Sequence, residues 1–125
     1  MASSSPNKNS IVRAAAILTN SEVKGLAFDL NQADGAGVSI RTQFTKGSLT
    51  NGIFAFYVSM DGVTWTACED GAGNIIRTLT ANDDRATALF APGWKFCTVG
   101  VTGTGTVTSS SATVSINYLK RGSQR

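Results

Sequence analysis

The stretch Ile53-Phe54-Ala55-Phe56-Tyr57-Val58-Ser59-Met60-Asp61-Gly62-Val63-Thr64-Trp65-Thr66-Ala67-Cys68 decides how the chain folds. Its first half is apolar on both faces, as in a central strand covered on both sides. Asp61-Gly62 carries the strongest short-range hairpin signal, because a type I′ turn needs positive φ at both central residues. Residues 63–68 are then expected to return as the partner strand.

Working outward toward the N-terminus, Val38, Ile40, Thr42 and Phe44 alternate with Ser39, Arg41, Gln43 and Thr45, the pattern of a half-buried strand. Leu26, Phe28 and Leu30 alternate with Ala27 and Asp29, and Asp34-Gly35-Ala36-Gly37 supplies a turn, so residues 26–30 and 38–45 read as a hairpin. Lys46 to Gly52 reads as a loop. Ile11-Val12-Arg13-Ala14-Ala15-Ala16-Ile17-Leu18 fits a short helix or a strand, since small apolar runs do not distinguish the two; a strand is favoured.

Toward the C-terminus, residues 75–80 read as a short strand and Asn82-Asp83-Asp84 as a turn. Ala91-Pro92-Gly93 stops any regular element. Residues 94–101 form a long strand with Trp94, Phe96 and Thr98 on one side and Cys97, Val99 and Val101 on the other. Residues 102–111 have the small polar repeat of a connecting loop or exposed ribbon. Residues 112–119 are the last strand, with Val114, Ile116 and Tyr118 inward. Seven to nine short strands at intervals of roughly ten residues predict an all-β fold, a single antiparallel β-sandwich of jelly-roll type.

The 125 residues, 42% hydrophobic and 15% charged, suffice for one domain and exclude a multidomain enzyme. Residues 1–10, rich in Ser and Asn, are expected to form a flexible arm. Residues 11–119 are the sandwich, and residues 120–125 a basic tail. No apolar run approaches the roughly 20 residues that carry a helix across a bilayer, and no apolar h-region follows the polar start. The protein is therefore expected to be made and used without Sec export and without a membrane partner.

The net charge of +3 is a property of the ends. Five of the eleven basic residues lie within residues 1–13 and 120–125, and residues 14–119 hold six basic against eight acidic residues. A basic platform for nucleic acid is thus disfavoured, and the candidate partner-binding residues are the terminal cations Lys8, Arg13, Lys120 and Arg121. The plainer reading of those cations is a pair of solvated ends.

With no histidine in the chain, a Ser-His-Asp hydrolase, a Cys-His pair and the usual zinc site are all excluded. No phosphate loop or dinucleotide fingerprint is present. Most of the eight carboxylates fall at expected turns, which disfavours a two-carboxylate glycosidase. Asp83-Asp84 and Asp70 with Asn74 carry oxygen ligands for calcium but lack EF-hand spacing. Cys68 and Cys97 sit in apolar runs and read first as buried thiols, with a disulfide as the alternative. Trp65, Trp94, Tyr57 and Tyr118 read as core rings or, alternatively, as a platform for a sugar or base. No catalytic residue, metal ligand or cofactor is assigned.

Three stretches carry a resemblance. Phe56-Tyr57-Val58-Ser59-Met60-Asp61-Gly62-Val63-Thr64-Trp65-Thr66, followed by Ala91-Pro92-Gly93-Trp94 and Thr102-Gly103-Thr104-Gly105-Thr106-Val107, resembles small virion proteins of tailed bacteriophages with a discoidin-like sandwich layout. The resemblance covers about half of the chain. It implies a non-enzymatic structural component of the virion, assembled in the host cytoplasm. Within that class it points to a capsid decoration or cement protein, or a head or tail accessory protein. The implied partners are the major capsid protein or another virion protein, and further copies of the chain, with a trimer suggested by shell positions. The Asp-Gly-x-x-Trp hairpin also resembles sandwich modules that bind sugars, so the alternative is a carbohydrate-binding adhesion module of a tail or spike.

Overall fold

The computed structural model describes residues 7–120, whose backbone builds two antiparallel sheets packed face to face. The strands are β1 (Asn7–Ala16), β2 (Val23–Lys24), β3 (Phe28–Asp29), β4 (Ala33–Thr45), β5 (Leu49–Ser59), β6 (Thr66–Ala67), β7 (Ile76–Leu79), β8 (Asp83–Phe90), β9 (Phe96–Gly105) and β10 (Ser111–Lys120). One sheet has the order β1-β10-β4-β8. The other has the order β2-β9-β5-β6, with β3 also paired to β9 and β7 to β5. The all-β sandwich read from the sequence is the architecture found. The ten strands exceed the expected seven to nine because β2, β3 and β6 are only two residues long.

Alternation builds the core. From the four-stranded sheet, Val12, Val38, Ile40, Phe44, Val114 and Ile116 point inward, and Phe54, Phe56, Val58, Cys97, Val99 and Val101 meet them from the other sheet. Each of the largest of these side chains contributes about 1.5–3 kcal/mol on leaving water. Residues 53–60 hold the central position foreseen for them: β5 runs between β9 on one flank and β6 and β7 on the other.

Several local expectations are corrected. Residues 26–30 and 38–45 do not form a hairpin. Phe28–Asp29 pairs with β9, whereas β4 lies in the opposite sheet between β10 and β8. The single 3-10 turn Leu30–Gln32 carries the chain across, begun by the Asp29 carboxylate accepting from the Asn31 N–H. Alternating apolar residues specify which face is buried, and that constraint is met equally by a strand in either sheet.

The Asp61-Gly62 turn is not type I′, since only Gly62 has positive φ. Instead the Asp61 carboxylate accepts from the N–H groups of Val63 and Thr64, and the Ser59 hydroxyl oxygen accepts from those of Asp61 and Gly62. This side-chain bonding lengthens the turn and shortens the returning strand to Thr66–Ala67.

Other boundaries move because main-chain pairing is indifferent to polar side chains. Asn7–Ser10, assigned to a flexible arm, pair with Leu119–Ile116 as the start of β1. Residues 1–6 of that arm lie outside the described residues. Lys120, assigned to the tail, ends β10 opposite Ala33, and residues 121–125 also lie outside. Asp83 and Asp84, read as part of a turn, open β8, where Arg41 on the neighbouring strand donates to both oxygens of Asp84 at 2.9 and 2.7 Å. Thr102–Gly105, read as loop or ribbon, extend β9, and Leu49–Gly52, read as loop, begin β5.

Candidate interaction surfaces

The exposed face of the four-stranded sheet carries a hollow of about 670 Å³ near the end where β1 begins and β10 finishes. Register sets Gly37 opposite Phe90, and the glycine offers no side chain between Phe90 and Leu119. Those two side chains, on the strands β8 and β10 that flank β4, are 69% and 50% exposed, an unusual amount of apolar surface for one sheet face. Asn9 and Asn117 border the same hollow and are joined by a hydrogen bond of 2.6 Å from Nδ2 of Asn9.

The sequence-derived candidate residues divide. Lys8, opposite Tyr118, and Lys120 lie at this same end of the sheet, and Lys8 contributes to the hollow. Arg13 is elsewhere and is used structurally. Its guanidinium donates to the carbonyl oxygens of Ala112, Ala16 and Ile17, bracing β1 across two shifts in its register with β10. Burial pulls that guanidinium below its ordinary pKa. Arg121 lies outside the described residues. Sequence reasoning missed Phe90 and Leu119; a large apolar residue at the outward parity of a strand was the available signal.

The four rings also divide. Tyr118 packs edge-on against Phe28, with centroids 4.9 Å apart, and donates to the Gln32 side-chain oxygen. Tyr57 lies on the outer face of β5, donates to Glu22 Oε2 at 2.7 Å and sits under Lys24 Nζ. Burial, with help from Glu22, pushes its phenol up to about 12. Trp65 is half-buried on the loop before β6 and is not part of the core, a correction to its expected packing role. Trp94 packs against the core and lines a second hollow, of about 630 Å³.

The carboxylates that suggested calcium are engaged by cations and N–H groups. Asp70 accepts from the N–H groups of Ala72 and Asn74 and pairs with Arg77. Burial alone would raise its carboxyl, but those donors together hold it below the usual range. Asp84 pairs with Arg41 and Asp83 with Arg85. Among the described residues, no three His, Cys, Asp or Glu side chains come together.

Cys68 and Cys97 are both free. Cys97 faces Val58 across one flank of β5, and the Cys68 N–H donates to Phe56 across the other. Two strand spacings, about 9.5 Å, separate their lines, beyond the roughly 7 Å that a disulfide spans. Burial pushes the Cys97 thiol up to about 12.

No protein-family model matches the chain, and no curated protein matches it. Solved structures do share the fold. SPBc2 prophage-derived protein YomS superposes with a TM-score of 0.58 at 16% identity, over 89% of this chain and 91% of that one. A chain from the disulfide-linked pili of Bacillus endospore appendages gives 0.54 at 15% identity, over 91% and 88%. PBSX exported protein XepA gives 0.60 at 12% identity, over 99% of this chain and 42% of that one. At these identities the likeness is one of fold.

Proposed function

We propose that the protein is a non-enzymatic structural component of a bacteriophage particle, and that it binds assembled capsid or tail protein as a decoration or cement protein. The observation that carries this reading is the end-to-end correspondence with prophage-derived YomS, in which one sandwich accounts for nearly all of both chains. The resemblance of residues 56–66 and 91–107 to small virion proteins of tailed bacteriophages supports it from the sequence side.

The docking face in this proposal is the outer surface of the four-stranded sheet. Exposed Phe90 and Leu119 supply apolar contact there, Lys8 and Lys120 lie at the same end, and the chain continues from Asn7 and Lys120 into its terminal residues. A partner that fills the hollow gains hydrophobic burial at its centre and polar contacts from Asn9 and Asn117 at its border. Many copies on a symmetric shell add avidity.

The test is saturation of source particles by purified protein, read by co-sedimentation and by electron microscopy for added density. Intact protein saturates the particle, and the Phe90→Ser, Leu119→Ser double variant does not. Removal of residues 1–6 and 121–125 leaves every strand whole, so it isolates the contribution of the ends. Particles that acquire no density at saturating protein refute the reading.

A further inference from the structure

The hollow beside Trp94 has the makings of a binding site that the virion reading does not use. It is formed where the Leu30–Gln32 turn, the start of β4 and the Ala91–Trp94 turn converge. The Leu30 N–H donates to Lys95 O at 2.8 Å and the Lys95 N–H to Ser59 O at 3.1 Å, so two of its walls are stitched to the sheet. Its volume, about 630 Å³, is within the roughly 300–1,000 Å³ typical of small-molecule sites.

Its chemistry is mixed in a specific way. Trp94 supplies a large half-buried indole that is held against the core. The side-chain amide of Asn31, the carboxylate of Asp34 and the indole N–H of Trp94 have no hydrogen-bond partner among the described residues, and all three residues line the hollow with Lys95. Gly35 and Gly93 complete the wall with φ of 70° and 86°, and a Cβ at either would meet nothing within 4 Å. The backbone there is bare and open to a ligand.

We infer that this hollow binds a neutral pyranose, as a free sugar or a terminal residue of a glycan. A pyranose has one flat apolar C–H face and a rim of hydroxyls. The first stacks on an aromatic ring, and the second needs side chains that accept and donate in one plane. Asp34 accepts from hydroxyls, Asn31 both accepts and donates, and the Trp94 N–H and Lys95 ammonium donate. The bare glycines let the ring approach closely. Neither a nucleotide nor a fatty chain fits as well, because the charged groups are of both signs and the polar groups are too many for an apolar tail. The inference is independent of particle docking, because the two hollows share no lining residue.

The test is titration of isotope-labelled protein with glucose, galactose, mannose and N-acetylglucosamine, followed by heteronuclear NMR. At least one sugar shifts the Trp94 indole N–H signal saturably and leaves that of Trp65 in place. Asp34→Ala and Asn31→Ala, both exposed and therefore safe for folding, each weaken that binding about tenfold, the size of a lost hydrogen bond. Gly93→Ala distinguishes a glycine needed for approach from one needed only for its backbone angle, because its effect on affinity is compared with its effect on the unfolding midpoint. The proposal is overturned if no sugar shifts Trp94 saturably, or if binding persists undiminished in the Asp34→Ala, Asn31→Ala double variant.

Discussion

The ring of Phe44 in β4 rests on Gly52 of β5, in the space that a side chain at position 52 would occupy. The two residues belong to opposite sheets, and Phe44 also meets Phe54 edge-on with centroids 5.7 Å apart. Gly52→Ala is therefore expected to destabilise the fold by about 1–3 kcal/mol through overpacking. A Phe44→Leu replacement in the same chain should recover part of that loss. Urea unfolding of the two single variants and the double variant measures the coupling, and strictly additive losses contradict the contact.

Arg77 joins the two sheets differently. It pairs with the buried carboxylate of Asp70 and donates to Thr87 Oγ1 in β8 at 3.1 Å. Arg77→Ala leaves an uncompensated charge in the interior and is expected to cost about 3–5 kcal/mol. Adding Asp70→Asn removes that charge and should restore a substantial part of the stability. Equal losses in the single and double variants, read from denaturant midpoints, would show that the pair matters only through packing.

Acid should weaken the protein in a defined window. The N–H groups of Thr64 and Val63, with the Ser59 hydroxyl, pull the Asp61 carboxyl down to about 2. Its folded pKa is thus below the unfolded value of about 3.9, so its contribution is complete above about pH 5 and is lost as the pH falls through about 2. Asp70 acts in the same direction. Stability measured against pH should fall across this interval, and Asp61→Asn, which keeps an accepting oxygen without the charge, should flatten the fall.

The two thiols should behave unequally. Cys97 is fully buried, with its thiol held up to about 12, while Cys68 is partly accessible. A thiol reagent applied to native protein is expected to modify Cys68 first and to reach Cys97 only on unfolding. Mass spectrometry after air oxidation should find no bridge between them. An intramolecular Cys68–Cys97 disulfide in folded protein would contradict the strand order.

The elements most legible in the sequence are those with unbroken alternation or two apolar faces. Val38 to Phe44, Phe54 to Val58 and Val114 to Tyr118 were read in their observed positions, because burial alone dictates such patterns. Pairing partners were less legible: Phe28 shows the same alternation whether it bonds to β4 or to β9. Gly52 illustrates a second limit, since a glycine that makes room for a ring from another sheet looks like a loop residue in one dimension. The candidate surfaces suffer from the same limit. Terminal charge drew attention to Arg13, which the fold turns toward backbone carbonyls. Phe90 and Leu119 come together only through the register of β1, β10, β4 and β8.

That register also makes neighbours of the first and last strands, with Asn7 beside Leu119. Their pairing closes the longest loop in the chain, so it is the slowest contact for a diffusing polypeptide to find. Circular permutation through a short linker between these strands would convert that distant encounter into a local hairpin. The permuted chain should reach the same sandwich sooner while keeping every hydrogen-bonded ladder between its strands.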